Sequence, residues 1–80
     1  MIKQRYWLSL DGNLCKRPLI WELSRNFDLI FNIRNASITG EIGIIGIELE
    51  GNPEVIKEAV SWLESQGVHV EPVEISTIEG

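Results

Sequence analysis

Only three residues, Thr39-Gly40-Glu41, separate two of the β-patterned segments in this chain, and each of those segments connects to a further strand pattern through a helix pattern. So short a link between strands makes an antiparallel hairpin. The helix-length connections on either side suit strands that run parallel. Most of the topology follows from that arrangement.

Residues 3–10 alternate, with Tyr6, Leu8 and Leu10 on one side and Arg5, Trp7 and Ser9 on the other, as in a half-buried strand. Asp11-Gly12-Asn13 reads as a turn. Pro18 suits the first turn of a helix, and Leu19, Leu23 and Phe27, with Ile20 beside them, make its apolar stripe. The helix must end near residues 26–28, because Leu29-Ile30-Phe31-Asn32-Ile33 is β-type sequence. Leu29, Phe31 and Ile33 share one face, whereas Ala36 and Ile38 have the opposite parity. One regular strand cannot bury both sets on the same side, which predicts a bulge or kink over Arg34-Asn35.

Residues 42–50 form the next strand, with Ile45, Ile47 and Leu49 toward the core and Ile44, Gly46, Glu48 and Glu50 opposite. Gly43 and Gly46 inside it mark close approaches or a bend. Asn52-Pro53-Glu54 starts a helix, Ile56, Ala59, Val60 and Leu63 are its buried stripe, and Gly67 caps its end. Residues 68–75 complete the set, with Pro72 restricting that strand to an edge or a bulge. The expected fold is α+β: a ferredoxin-like βαββαβ unit, a four-stranded antiparallel sheet with two helices on one face, occupying residues 1–80 as a single domain. Trp7 and Ile44 would stand on the open sheet face with Gly46, an apolar patch suited to association. Trp21 and Trp62, each one residue off a helix stripe, read as peripheral core.

Eighty residues leave a margin of about 3–5 kcal/mol from the core alone. One cysteine, Cys15, forms no internal disulfide, and with one histidine, His69, it falls short of a four-ligand zinc site. Self-association is therefore the expected support, as a homodimer through Trp7, Ile44 and Gly46. The cysteine usage fits a reducing cytosol. No apolar run approaches the roughly 20 residues of a membrane span, and Met1-Ile2-Lys3-Gln4-Arg5 lacks the apolar stretch of a signal peptide. The expected location is cytoplasmic, without membrane insertion.

Seven Lys and Arg against twelve Asp and Glu give a net charge of −5, which argues against a nucleic-acid partner. The strand at residues 41–47 has no aromatic side chain on which an RNA base could stack. Cys15 is followed three residues later by Pro18, leaving a lone thiolate that makes a poor soft-metal site. Lys16-Arg17 lacks the nest or nucleophile of an acyl-phosphate hydrolase. His69 has no acidic or metal partner in sequence, and Glu48 and Glu50 read as a solvated strand face. No catalytic constellation emerges, so neither enzymatic activity nor a cofactor is expected.

The runs Phe31-Asn32-Ile33-Arg34-Asn35-Ala36 and Ala59-Val60-Ser61-Trp62-Leu63-Glu64-Ser65-Gln66-Gly67-Val68-His69-Val70-Glu71, with Gly43 and Gly46, resemble the NIL domain family. The likeness extends from the Tyr6-Trp7-Leu8 strand to Val73-Glu74-Ile75. It implies an ACT-like, ferredoxin-like regulatory domain, of the kind found in methionine-importer ABC ATPase subunits or fused to iron–sulfur ferredoxins. The ending of this chain looks more like the ferredoxin-associated and stand-alone kind. The signature falls on Asn32 and Ile33, with Arg34 where the family has Leu. Asn32, Ile33 and Arg34 are therefore the candidate ligand residues, for an amino acid such as methionine. Arg34, always charged and fork-shaped, suits a carboxylate. It also reads as an edge charge that discourages strand pairing. The alternative function is a ligand-free interaction module that docks onto a transporter ATPase or a ferredoxin.

Overall fold

In a computed structural model, which describes residues 1–73, the elements are β1 (Ile2–Asp11), α1 (Gly12–Cys15), α2 (Leu19–Asn26), β2 (Ile30–Ile38), β3 (Ile42–Gly51), α3 (Pro53–Ser65) and β4 (His69–Pro72). The sheet order is β2-β3-β1-β4, and every neighbouring pair is antiparallel. β1 and β2 thus run parallel with β3 between them, and β3 and β4 with β1 between them. This is the ferredoxin-like fold. Each split crossover carries a helix over the same sheet face.

The buried residues map the two faces. Leu8 and Leu10 of β1 and Ile45, Ile47 and Leu49 of β3 pack against Leu19 and Leu23 of α2 and Ile56, Ala59 and Leu63 of α3. Periodicity in the sequence places all of them in the core. Local chemistry sets the boundaries of the elements. Asn52 accepts the Glu54 N–H at 2.8 Å and Pro53 opens α3. Gly67, at φ +97°, lets the chain leave that helix in a conformation other residues resist. Thr39 closes the hairpin, its N–H donating to the Ile42 carbonyl at 2.9 Å.

Three expectations need correction. Asp11-Gly12-Asn13 is not a simple turn. Asp11 caps a one-turn helix, accepting the Leu14 N–H at 3.0 Å, and so sends Leu14 into the core. The helix face therefore carries three helices. Trp21 is not peripheral core: it is 61% exposed, with the Arg25 guanidinium 5.6 Å from its ring centroid. Trp62 does pack inward, edge-on to Phe27 at 6.0 Å. Finally, β4 begins at His69, one residue later than expected, and runs to Pro72. Val73 adds one further bond to β1, donating to the Arg5 carbonyl at 3.0 Å, while Glu74 and Ile75 lie outside the described residues.

Tyr6, the single tyrosine, lies on the helix face of β1 between Ile47 and Pro72. Burial raises its phenol above the ordinary range because the phenolate would lose hydration. Its contribution to stability is full below the ordinary tyrosine pKa of about 10 and is lost as pH rises through the higher folded value. Spectrophotometric titration should find the phenolate appearing late, with the thermal midpoint falling over the same alkaline range. A phenol titrating at or below its ordinary value would contradict this placement.

A candidate ligand-binding surface at the bulge

The ladder between β2 and β3 slips once. Ile33 pairs with Ile47 and Asn35 with Gly46, so Arg34 is an extra residue. The parity break in the sequence thus becomes a bulge at the expected position. Its consequence is stereochemical. Ile33 and Ala36 oppose the buried Ile47 and Ile45 and lie on the helix face. Arg34 and Asn35 between them both lie on the open face. Asn32, opposite Glu48, lies on that face too.

The open face is therefore laid out in rows. One row holds Arg34 and Asn35, Gly46, Trp7 and Glu71. The next holds Asn32, Glu48 and Arg5, with Val73 at the β4 end. Toward the hairpin stand Ser37, Ile44 and Ser9, then Ile42. A hollow of about 70 Å³ opens at the bulge, lined by Arg5, Trp7, Arg34, Asn35, Gly46 and Val73. It is large enough for a carboxylate head, and a longer side chain would lie out across Trp7.

Gly46 explains how these groups converge. A Cβ there would stand 3.0 Å from the Trp7 ring and 3.3 Å from Asn35 Oδ1. Its absence lets the indole lie across the β3 backbone beside the amide. Gly46 is consequently buried beneath Trp7, while Trp7 and Ile44 remain 39% and 40% exposed. Of the six sequence-derived residues, Asn32, Arg34, Trp7 and Ile44 share the open face and Gly46 underlies it. Ile33 lies on the other side of the sheet.

Charge is uneven across this surface. Arg5 Nε donates to Glu48 Oε2 at 3.2 Å. That hydrogen bond holds the Glu48 carboxyl below its usual range against slight desolvation, and the positive charges of Arg5, Lys3 and Arg34 add to it. Glu48 is therefore ionised at neutral pH. Arg34 makes no salt bridge among the described residues, so its guanidinium is free to meet an anion.

A larger apolar groove, about 190 Å³, lies on the helix side between Leu14, Cys15, Trp21 and Ile38. Its one charged lining group, Arg17, is already paired with Glu22, so it has little with which to orient a charged ligand. Among the described residues no three His, Cys, Asp or Glu side chains gather as a metal site, and no helix is long and apolar enough to cross a membrane.

Residues 4–72 match the NIL domain family. The chain belongs to the NIL domain family. A curated relative of this NIL domain is the methionine import ATP-binding protein MetN of Helicobacter hepaticus, 30% identical over 74 residues. The alignment covers 88% of this chain but 21% of that protein, so the chain spans about a fifth of its relative's length. Among solved structures, the C-terminal domain of an ABC transporter ATP-binding protein from Enterococcus faecalis superposes with a TM-score of 0.80 at 22% identity. That match covers 91% of this chain and 86% of the other, and it establishes a shared fold.

Reading the sequence for single motif positions missed Asn35, Arg5 and Val73. The signal for Asn35 was available, since a one-residue bulge places two consecutive side chains on one face. Arg5 and Val73 enter the hollow through strand register, which the sequence alone does not give.

Proposed function

We propose that this NIL domain is a non-catalytic regulatory domain that binds a small amino acid at the bulge and works as a homodimer on the cytoplasmic side of an ABC importer. The observation that carries the reading is the bulge itself. It turns Arg34 and Asn35 onto the face that already holds Asn32, next to a seated tryptophan. Arg34 would take the carboxylate in charge-assisted, bidentate hydrogen bonds. Asn32 and Asn35 each offer both a donor and an acceptor to the remaining polar groups. Trp7 would supply apolar contact for the ligand's side chain. Methionine is the first ligand to test, because a relative bears the name of a methionine import ATP-binding protein. A second copy laid over Trp7 and Ile44 would exclude water from so shallow a site. The importer's ATPase is the proposed partner.

Calorimetric titration of wild type, Asn32→Ala and Arg34→Leu with methionine and a panel of other amino acids tests the site. Loss of a hydrogen bond to a charged group is worth about 1.5–3 kcal/mol, so Arg34→Leu should weaken binding about 10- to 100-fold. Binding that survives both substitutions would place the site elsewhere. Sedimentation at micromolar concentration should find a dimer that Trp7→Ser shifts toward monomer. Absence of any binding across the panel would instead favour the interaction-module reading, with the exposed Trp7–Ile44 face docking onto a transporter ATPase or a ferredoxin.

A further inference from the structure

We infer that Glu48 is the specificity-determining residue of this surface: it receives the ligand's ammonium group while Arg34 receives the carboxylate, so the site selects whole α-amino acids over the same acids without the amine. The inference rests on the ligand-binding reading above and adds a residue and a discrimination that the reading does not contain.

Position comes first. Glu48 lies on β3 two residues from Gly46, hence on the same face and about 6–7 Å farther along the strand. The Arg34 and Glu48 side chains are long enough to close on one small molecule across that spacing. Asn32 stands directly opposite Glu48 and offers a neutral oxygen beside the carboxylate. The other open-face acids are less well placed. Glu71 is on the far side of Trp7, and Glu50 is one row farther from the hollow.

Capacity comes second. A carboxylate has about four acceptor sites. Arg5 engages Oε2 alone, and Oε1 receives no hydrogen bond from the described residues. Glu48 can therefore keep Arg5 and still accept an ammonium N–H. It remains charged at neutral pH under the hydrogen bond from Arg5 and the fields of Lys3, Arg5 and Arg34.

Discrimination then works through attraction and repulsion together. A zwitterion offers Glu48 a cation. A simple carboxylate in the same hollow brings only a second negative charge toward it. Replacing Glu48 by Gln removes both effects and releases Arg5, which lines the same hollow.

The experiment is a calorimetric comparison of L-methionine with 4-(methylthio)butanoate, the same acid without the amine, on three proteins. Wild type should prefer the amino acid by about tenfold or more, the scale of one charge-assisted hydrogen bond. Glu48→Gln should bring the two affinities within about threefold, chiefly by improving the butanoate. Arg5→Gln breaks the same ion pair but leaves the acceptor in place, so it should keep the preference. Retention of the preference by Glu48→Gln would overturn the inference. Equal loss in both variants would also overturn it, reducing Glu48 to a strap between β1 and β3. Wild type binding both probes equally refutes the role of Glu48 and leaves the ligand site standing. Wild type binding neither refutes both.

Discussion

Leu23→Ala and Leu63→Ala are each expected to cost about 2–5 kcal/mol and to leave the isolated chain largely unfolded. Both leucines are fully buried, one from each long helix, and both meet the β1–β3 centre of the sheet. Truncation removes their transfer energy and leaves a cavity that a sheet braced by two central strands cannot collapse to fill. A chain of this size has about 3–5 kcal/mol in hand, so one such loss consumes most of it. Urea denaturation followed by tryptophan fluorescence would measure the effect. A loss below about 1 kcal/mol would mean that neither helix presents the face described.

The second large effect is expected at Gly43. A Cβ there would meet Cys15 Sγ at 2.8 Å and Ile38 Cγ1 at 3.4 Å. Gly43→Val should therefore destabilise by about 1–3 kcal/mol through overpacking, despite the higher strand propensity of valine. Cys15→Ala removes the obstructing sulfur. The double variant should recover part of the loss, with a coupling of about 0.5–3 kcal/mol in a double-mutant cycle. Strict additivity would show that the sulfur and the strand do not compete for that space. The pair also explains why Cys15 is half-buried. Its side chain fills the notch that the glycine leaves under α1.

Most of this fold was legible because period-two and period-3.6 patterns alternate cleanly along the chain. The stripe of Leu19 and Leu23, the inward set Ile45, Ile47 and Leu49, and the Asn52-Pro53 cap each say the same thing at the local and the global level. α1 was not legible, since one turn is too short to display a period, and an aspartate before glycine serves a turn and a helix cap equally well. Trp21 was misread because it adjoins the apolar stripe on the helix surface. Its Arg25 partner, four residues on, instead stabilises an outward indole. The open-face site was half legible. Parity located the bulge and placed Asn32 and Arg34 together, but the neighbours supplied by β1 and β4 depend on register between strands distant in sequence.

The bulge also makes one of two residues in β2, Arg34 or Asn35, dispensable in a way the rest of the strand is not. Excising Arg34 would leave Ile33, Asn35 and Ala36 in regular alternation against Ile47, Gly46 and Ile45, with every flanking side chain on its present face. Removing a residue outside the bulge would instead invert the faces beyond the cut. A single-codon deletion at this site would thus preserve the architecture while erasing the guanidinium. The scaffold and the proposed anion receptor are separable by the smallest possible change in chain length.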